Sequence, residues 1–448
     1  MSYITDKVDE LFAVWNKPDS PGCSLAIIKE GEIIYKRGYG MADLERNIPL
    51  SPASVFDIGS MGKQFTAMLI AILARQGALS LDDPIRKYIP EMPAYAQPVT
   101  IRHLIHHTSG LRDYTTLMYL LGMRFENFYY EEELLDLVCR QKASNYQPGD
   151  QFLYTNTNYL LLGVVAKRAT GKSLPALLQE YILDPLGMKA TSFGDDLGRI
   201  VKNRAIGYSP TEGGFRNEMT FCGGFGDGAI LSSVEDLFLW EQNFHDNKLG
   251  GGGNELIQEI LTPGRLNNGE KLNYAYGLFV DQYKGLKTIQ HAGGWAGYCS
   301  DMSLFPEQNF SVICLANLNS IEPWMLTAQV AEIYLADLLK EKERPTSQKT
   351  AESIELTPSQ MTPAPFADYV GVYRSEELSV PYKFLLNGEQ LCFRRDYSTP
   401  ETLQPVAKDC FQAGDFHFQF ERDEHDHVYA LTIRTNLVWA IRFSRCLG

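Results

Sequence analysis

The sequence predicts an α/β domain with strands drawn from both of its ends and a mainly helical insertion between them, followed by a small all-β domain. Three observations predict it. Two short apolar strands flank a hairpin signal near the start; helical periodicity marks Ser60 to Gln76 and dominates residues 100–200; strand-like runs return from Tyr274. At 448 residues the chain exceeds one ordinary core, so two or three domains are expected.

Taken in order, an amphipathic first helix precedes strands at Cys23 to Ile28 and Glu32 to Lys36, with Lys29-Glu30-Gly31 as the turn. The helix from Ser60 to Gln76 is stopped by Gly77. Further helices are expected at Thr100 to Ile105, Glu131 to Lys142, Leu160 to Lys167 and Leu174 to Leu183. Ser233-Val234-Glu235-Asp236 has the form of a capping box ahead of Leu237 to Trp240. Strands follow at Tyr276 to Phe279, Thr288 to His291, Asp301 to Phe305 and Phe310 to Leu315, then a helix from Trp324 to Lys342. Residues 1–340 are thus expected to form the first domain. Residues 341–360, polar with Pro and Ser, read as a linker, and residues 361–448 as a small antiparallel barrel or sandwich.

Composition narrows the function. Hydrophobic content of 44% and charged content of 21% describe a soluble globular chain. A net charge of −14 argues against nucleic acid or an anionic membrane as partner. The N-terminal stretch carries acids where a secretory signal would be basic, so a cytoplasmic location is expected. The 8 cysteines are scattered without a C-x-x-C pair, as reduced thiols are, and neither a metal nor a cofactor is expected.

Ser60-Met61-Gly62-Lys63 carries the most chemical information. On a helix, residues three apart share a face, which sets an amine beside a hydroxyl. A desolvated amine near other charges can take that hydroxyl's proton. Tyr154-Thr155-Asn156 stands at a helix start, where a phenol can shuttle protons and an amide can hold a substrate carbonyl. His291-Ala292-Gly293-Gly294 ends a strand, where small residues admit a substrate backbone and main-chain N–H groups can stabilise an oxyanion. Each motif alone is also compatible with ordinary packing.

In this order, S-x-x-K, Y-x-N and H-x-G resemble the class C β-lactamase, DD-peptidase and D-aminopeptidase branch of the penicillin-recognising enzymes. Phe56-Asp57-Ile58-Gly59, Leu104 to Leu111 and Gly228 to Ser233 agree. The resemblance spans roughly residues 5–340 and implies an antiparallel sheet with flanking helices. It implies Ser60 as the acylated nucleophile, with Lys63 and Tyr154 moving protons. Asn156, His291, Gly293, Gly294 and Trp295 would bind substrate, and the N–H groups of Ser60 and Gly294 would form the oxyanion hole. His291 stands where relatives carry a lysine; a histidine near its ordinary pKa of ~6.5 is only partly charged at neutral pH, which disfavours strong lactamase activity.

The implied function is hydrolysis of small peptides or amides, including D-amino acid substrates, through an acyl-enzyme. Ester hydrolysis and acyl transfer, peptide cyclisation included, use the same intermediate and stay open, as does a non-catalytic peptide or lactam sensor. The last domain resembles the lipocalin-like barrel appended to some members; a ligand-binding barrel stays open beside the favoured cap or assembly role, and so does a homo-oligomer. His106 and His107 are expected to support the loop beside the site. His425 and His427 belong to a charged hairpin turn and Gly250 to Gly253 to a flexible loop.

Overall fold

The computed structural model describes residues 2–124, 127–196, 198–219, 225–340, 366–395 and 399–446. The expected linker and Cys222 lie outside the described residues. Among those described, six strands form one antiparallel sheet: β1 (Cys23–Lys29), β2 (Glu32–Tyr39), β3 (Phe279–Tyr283), β4 (Leu286–Trp295), β5 (Tyr298–Phe305) and β6 (Phe310–Ala316). Their order is β3-β4-β5-β6-β1-β2, so the two ends of the first segment meet where Cys23 opposes Ala316.

β1 is apolar on both faces because both are covered. Leu25 and Ile27 pack into a core shared with α1 (Ser2–Phe12), whereas Ala26 and Ile28 join the larger core on the opposite face. That larger core is built around α2 (Lys63–Arg75), which is buried from Lys63 to Leu73. A helix apolar on all sides can only be central, and this one holds the front of the sheet at a fixed distance from the insertion.

Helix boundaries follow local chemistry. Gly59–Gly62 forms a 3-10 turn before α2, and Gly77, at φ +74°, follows the C-cap. Asp113 caps α3 (Tyr114–Leu120), and Thr155 caps α4 (Asn156–Thr170) by accepting from Thr157 N–H. Ser233 caps its helix as expected, but the box is one-sided. The Asp236 carboxylate accepts from Ala190 N–H and Thr191 Oγ–H, both at 2.8 Å, rather than turning back to Ser233.

Several expected ranges shift at their ends, as where Thr288 to His291 becomes Leu286–Trp295, and two of the shifts have a visible cause. The strand placed at Tyr276 to Phe279 begins only at Phe279, because Tyr274 to Leu278 curls so that Ala275 N–H bonds Leu278 O at 2.8 Å. The helix placed at Trp324 to Lys342 is α5 (Pro323–Tyr334) and stops at Tyr334; the chain then turns until Lys340 N–H reaches Lys284 O at 3.0 Å.

Beyond residue 366 the described residues form a nine-stranded antiparallel sheet whose edge strands are Glu401–Thr402 and Gln404–Ala407. Only Leu403 separates those edges, so the sheet must curl on itself into a nearly closed barrel. Phe384, Phe393, Phe411, Phe418 and Phe420 are buried and contact one another, mostly edge-on or tilted, filling the interior. This aromatic core is continuous with that of the first segment.

Candidate active site

Ser60 sits in the 3-10 turn and Lys63 is the first residue of α2, so the amine folds back beneath the hydroxyl. Lys63 Nζ lies 3.0 Å from Ser60 Oγ, 2.8 Å from Asn156 Oδ1 and 2.8 Å from Asp227 O. Lys63 is 0% exposed, so the protein alone solvates the amine. Three oxygens surround a group with three N–H bonds. To act as a base the amine must first release one of those protons, which leaves two N–H bonds for the carbonyl oxygens and a lone pair for Ser60.

Asn156 opens α4 and Tyr154 lies two residues ahead of it, outside the helix. The Tyr154 ring centroid is 5.1 Å from Lys63 Nζ, and its hydroxyl is buried without a hydrogen-bond partner among the described residues. His107 packs on that ring at 4.3 Å and accepts the Thr155 N–H at 3.2 Å through Nδ1. Burial and the Lys63 charge keep its imidazole well below the usual histidine pKa, hence neutral.

β4 brings the third motif alongside. Gly59 has φ +52°, and a Cβ there would stand 2.7 Å from Gly294 N, so the strand's main chain lies directly against the turn that carries Ser60. Gly294 and Trp295 line the cleft, while Tyr298 is buried with its hydroxyl donating to Ala205 O at 2.6 Å. Gly293 differs from expectation. A Cβ on it would meet Ile58 O at 2.0 Å, so its lack of a side chain serves a close approach of the protein's own backbone rather than of a substrate.

His291 also departs from expectation. It is 3% exposed, with Nδ1 2.6 Å from Ala292 O and Nε2 3.2 Å from Tyr274 Oη. A carbonyl only accepts, so Nδ1 carries the proton and Nε2 accepts from the tyrosine. Burial, then the Lys63 charge, push its pKa down to about 3. The imidazole is therefore neutral at physiological pH, not partly charged. It supplies no cation to the cleft.

The cleft over Ser60 has a volume of about 180 Å³. Its lining includes three side chains to which the sequence analysis gave no role: Asp57, Tyr114 and Asp227. Asp57 accepts the Gly59 N–H at 2.8 Å, and Asp227 accepts the Tyr114 hydroxyl at 2.9 Å. Neither carboxylate forms an ion pair among the described residues. Burial raises the pKa of Asp57 to about 6 despite the field of Arg204, and raises that of Asp227 despite Lys63. No periodicity could have found these groups, since Asp57 ends a two-residue strand, Asp227 lies in a turn and Tyr114 opens a short helix. The Asp before α3 was readable as an N-cap signal.

The sheet, the buried helix and the serine–lysine pair together define a β-lactamase/transpeptidase-like architecture. The family model described as beta-lactamase matches residues 6–332, and the chain belongs to that family. It is 30% identical to a penicillin-binding protein of Bacillus subtilis over 64% of this chain and 66% of that protein. It is 29% identical to a D-aminopeptidase of Gluconobacter oxydans over 74% of this chain and 62% of that one. The chain thus spans somewhat under two thirds of the length of these curated relatives. Among solved structures it is similar to an octameric penicillin-binding protein homologue from Pyrococcus abyssi, with a TM-score of 0.65 and 24% identity over 99% of this chain and 98% of that one. It also resembles a D-amino acid amidase from Ochrobactrum anthropi, with a TM-score of 0.62 and 22% identity over 75% of this chain and 99% of that one. No helix among the described residues is long and apolar enough to cross a membrane.

Proposed function

We propose that the protein is a serine hydrolase that cleaves small peptides or amides bearing a D-amino acid, through an acyl-enzyme on Ser60. The observation that carries this reading is the wholly buried Lys63 amine 3.0 Å from Ser60 Oγ. Ser60 Oγ attacks the amide carbon as its proton passes to Lys63 Nζ. The oxyanion forms against the N–H groups of Ser60 and Gly294, each such donor contributing about 3 kcal/mol to the transition state. The C–N bond breaks as the leaving nitrogen takes a proton through Tyr154, whose hydroxyl is otherwise unengaged. Water then attacks the ester, its proton returns by the same relay, and the acid departs from a restored Ser60.

The charge of the cleft supports a substrate with a free α-ammonium. Its lining sets Asp57, Asp196 and Asp227 against Arg199 and Arg204, an excess of acid, and the neutral His291 behind it adds no cation. This agrees with the D-aminopeptidase relatives and favours amino-terminal amides over lactams. Asn156 would hold the substrate amide, and Trp295 would pack on its side chain. His291 and Gly293 would act by fixing β4 rather than by touching substrate.

The experiment is hydrolysis of D- and L-aminoacyl p-nitroanilides, their N-acetyl forms and p-nitrophenyl esters, by wild type and Ser60→Ala. Ser60-dependent turnover led by the free D-aminoacyl compounds is expected. Turnover of the esters alone would assign the site to an esterase, and labelling of Ser60 without turnover would assign it to a sensor.

Two further properties belong to the proposal. The seven described cysteines are free thiols, which fits a cytoplasmic location testable by cell fractionation. A homo-oligomer is supported by the exposed Trp324 and Met325 on α5, and light scattering of the purified chain measures it.

A further inference from the structure

No described residue of the C-terminal barrel lines the cleft, yet the barrel grips the short helix beside it. Arg112, just ahead of α3, is 5% exposed and pairs through Nη1 with Glu377 of the barrel. Its Nη2 donates to Ala440 O, and Glu377 Oε2 also accepts the Lys142 N–H at 2.7 Å. Leu437 O accepts from the Asn145 side chain at 3.0 Å. At the other end of α3, Tyr382 Oη donates to Leu120 O at 2.7 Å and Arg395 Nη1 to Tyr119 O at 2.5 Å. Both carbonyls lie in the last turn, where a helix runs out of its own i+4 donors; Tyr119 O also accepts the Gly122 N–H at 3.0 Å, and a cation there complements the helix dipole. The barrel therefore holds both ends of one two-turn helix.

The other side of the same unit holds the site. Asp113 Oδ2 accepts the Asn156 N–H at 2.7 Å and the Thr155 hydroxyl at 3.1 Å. Arg112 O accepts the Thr157 hydroxyl at 2.7 Å, and Tyr114 Oη donates to Asp227 Oδ2 at 2.9 Å. Asn156 and Asp227 supply two of the three oxygens around Lys63 Nζ. Hydrogen bonds joined by single residues of main chain thus run from Glu377 to Arg112, from the adjacent Asp113 to Asn156, and from the Asn156 side chain to the amine beside Ser60.

We propose that the barrel is a clamp that sets the placement of Lys63, with Glu377 and Tyr382 as positioning residues that never contact substrate. The inference rests on the serine–lysine reading for its kinetic consequence and on the hydrogen-bond path alone for the coupling. A small misplacement of reacting groups can cost far more rate than stability, so the two are separable by measurement.

The test compares full-length wild type, Glu377→Gln and Tyr382→Phe by hydrogen–deuterium exchange and by the rate at which a fluorophosphonate labels Ser60. Expected are exchange in residues 112–120 and 154–157 faster by about tenfold in Glu377→Gln and about threefold in Tyr382→Phe, with labelling and kcat slowed in the same order and KM within about twofold. Unchanged exchange at 154–157 and unchanged labelling, even with a lowered Tm, would overturn the clamp and leave the barrel a stabilising cap. Should Glu377→Gln not fold, Tyr382→Phe, which loses one hydroxyl, decides alone. If wild type fails to label at Ser60, the hydrolase reading falls and the exchange measurement still decides the coupling.

Discussion

Asp113 and Asn156 share one hydrogen bond that ties two helices to the site: Asp113 Oδ2 accepts the Asn156 N–H at 2.7 Å, while Oδ1 accepts the Thr116 N–H at 2.9 Å. Both oxygens of a single carboxylate are in use, one capping α3 and one anchoring the start of α4. An asparagine has only one oxygen and can serve either end. Asp113→Asn is expected to lose about 1 kcal/mol of stability, the scale of a cap, and to lower kcat by about tenfold or more through a displaced Asn156. Thermal unfolding beside kcat checks this; a full kcat would mean that Asn156 is held independently of Asp113.

The proton-transfer roles make a sharper prediction. Lys63→Ala and Tyr154→Phe should each reduce turnover at least ~100-fold, the scale of general acid–base catalysis. Single-turnover kinetics would tell the two apart. Lys63→Ala is expected to lose acylation by amides and esters alike, whereas Tyr154→Phe should slow acylation chiefly by amides, whose leaving nitrogen needs the proton, and should slow release of the acyl group as well. Near-normal rates in either would reassign that role.

Asp57 sets an acid limit. With its pKa raised to about 6 by burial, it loses its charge as pH falls through 6. For substrates with an α-ammonium, kcat/KM should therefore fall below about pH 6. Arg204 and Asp227 act on it through space, the first favouring and the second opposing its charge. In Asp57→Asn that limb should vanish, and the preference for free over N-acetylated substrates should drop about tenfold, the scale of one lost charged hydrogen bond. An unaltered preference would place the ammonium elsewhere.

Buried histidines make the fold acid-sensitive. Burial pushes His106 down to about 4 and His291 to about 3. In the unfolded chain they titrate near ~6.5. Between those values the unfolded state binds protons that the folded state does not, so stability present above pH ~6.5 is lost as pH falls, by about 1.4 kcal/mol per pH unit for each group. Asp57 and Asp301, raised to about 6, act in the opposite sense between pH 4 and 6 and soften the net slope. His291→Gln should accordingly show a flatter dependence of unfolding free energy on pH between 6.5 and 4 than wild type. Parallel curves would mean that folded His291 accepts a proton in that range.

Gly293 gives a packing test. A methyl group there would stand 2.0 Å from Ile58 O, and backbone cannot move aside as a side chain can. Gly293→Ala should cost about 1–3 kcal/mol or more, the range for overpacked sites, and it should displace Gly294 N from the nucleophile. Urea unfolding measures the first effect and Ser60 labelling the second. A variant equal to wild type in both would mean that β4 can shift freely.

Much of the architecture was legible because it depends on short-range chemistry. The apolar run of β1, the all-round apolar surface of α2 and the turn at Lys29 to Gly31 follow from patterning alone. The spacing of Ser60 and Lys63 put the amine under the hydroxyl whether the turn was α or 3-10, since both bring residues three apart together. The end of α5 was not legible, because the bond of Lys340 to Lys284 that accompanies the turn crosses 56 residues of chain (340 − 284).

By itself, then, the sequence determined which groups were available for chemistry: a serine with its lysine, a Tyr-x-Asn, and a glycine-bearing strand end, each defined by neighbours a few residues away. Only the tertiary structure decided how those groups behave. His291 is neutral because burial, not its identity, sets its charge. Asp57 and Asp227 face one cleft although they are 170 residues apart (227 − 57), and Glu377 reaches Arg112 from another unit of the fold. Charge state and long-range contact depend on what surrounds a side chain in space, and spacing along the chain carries no record of that.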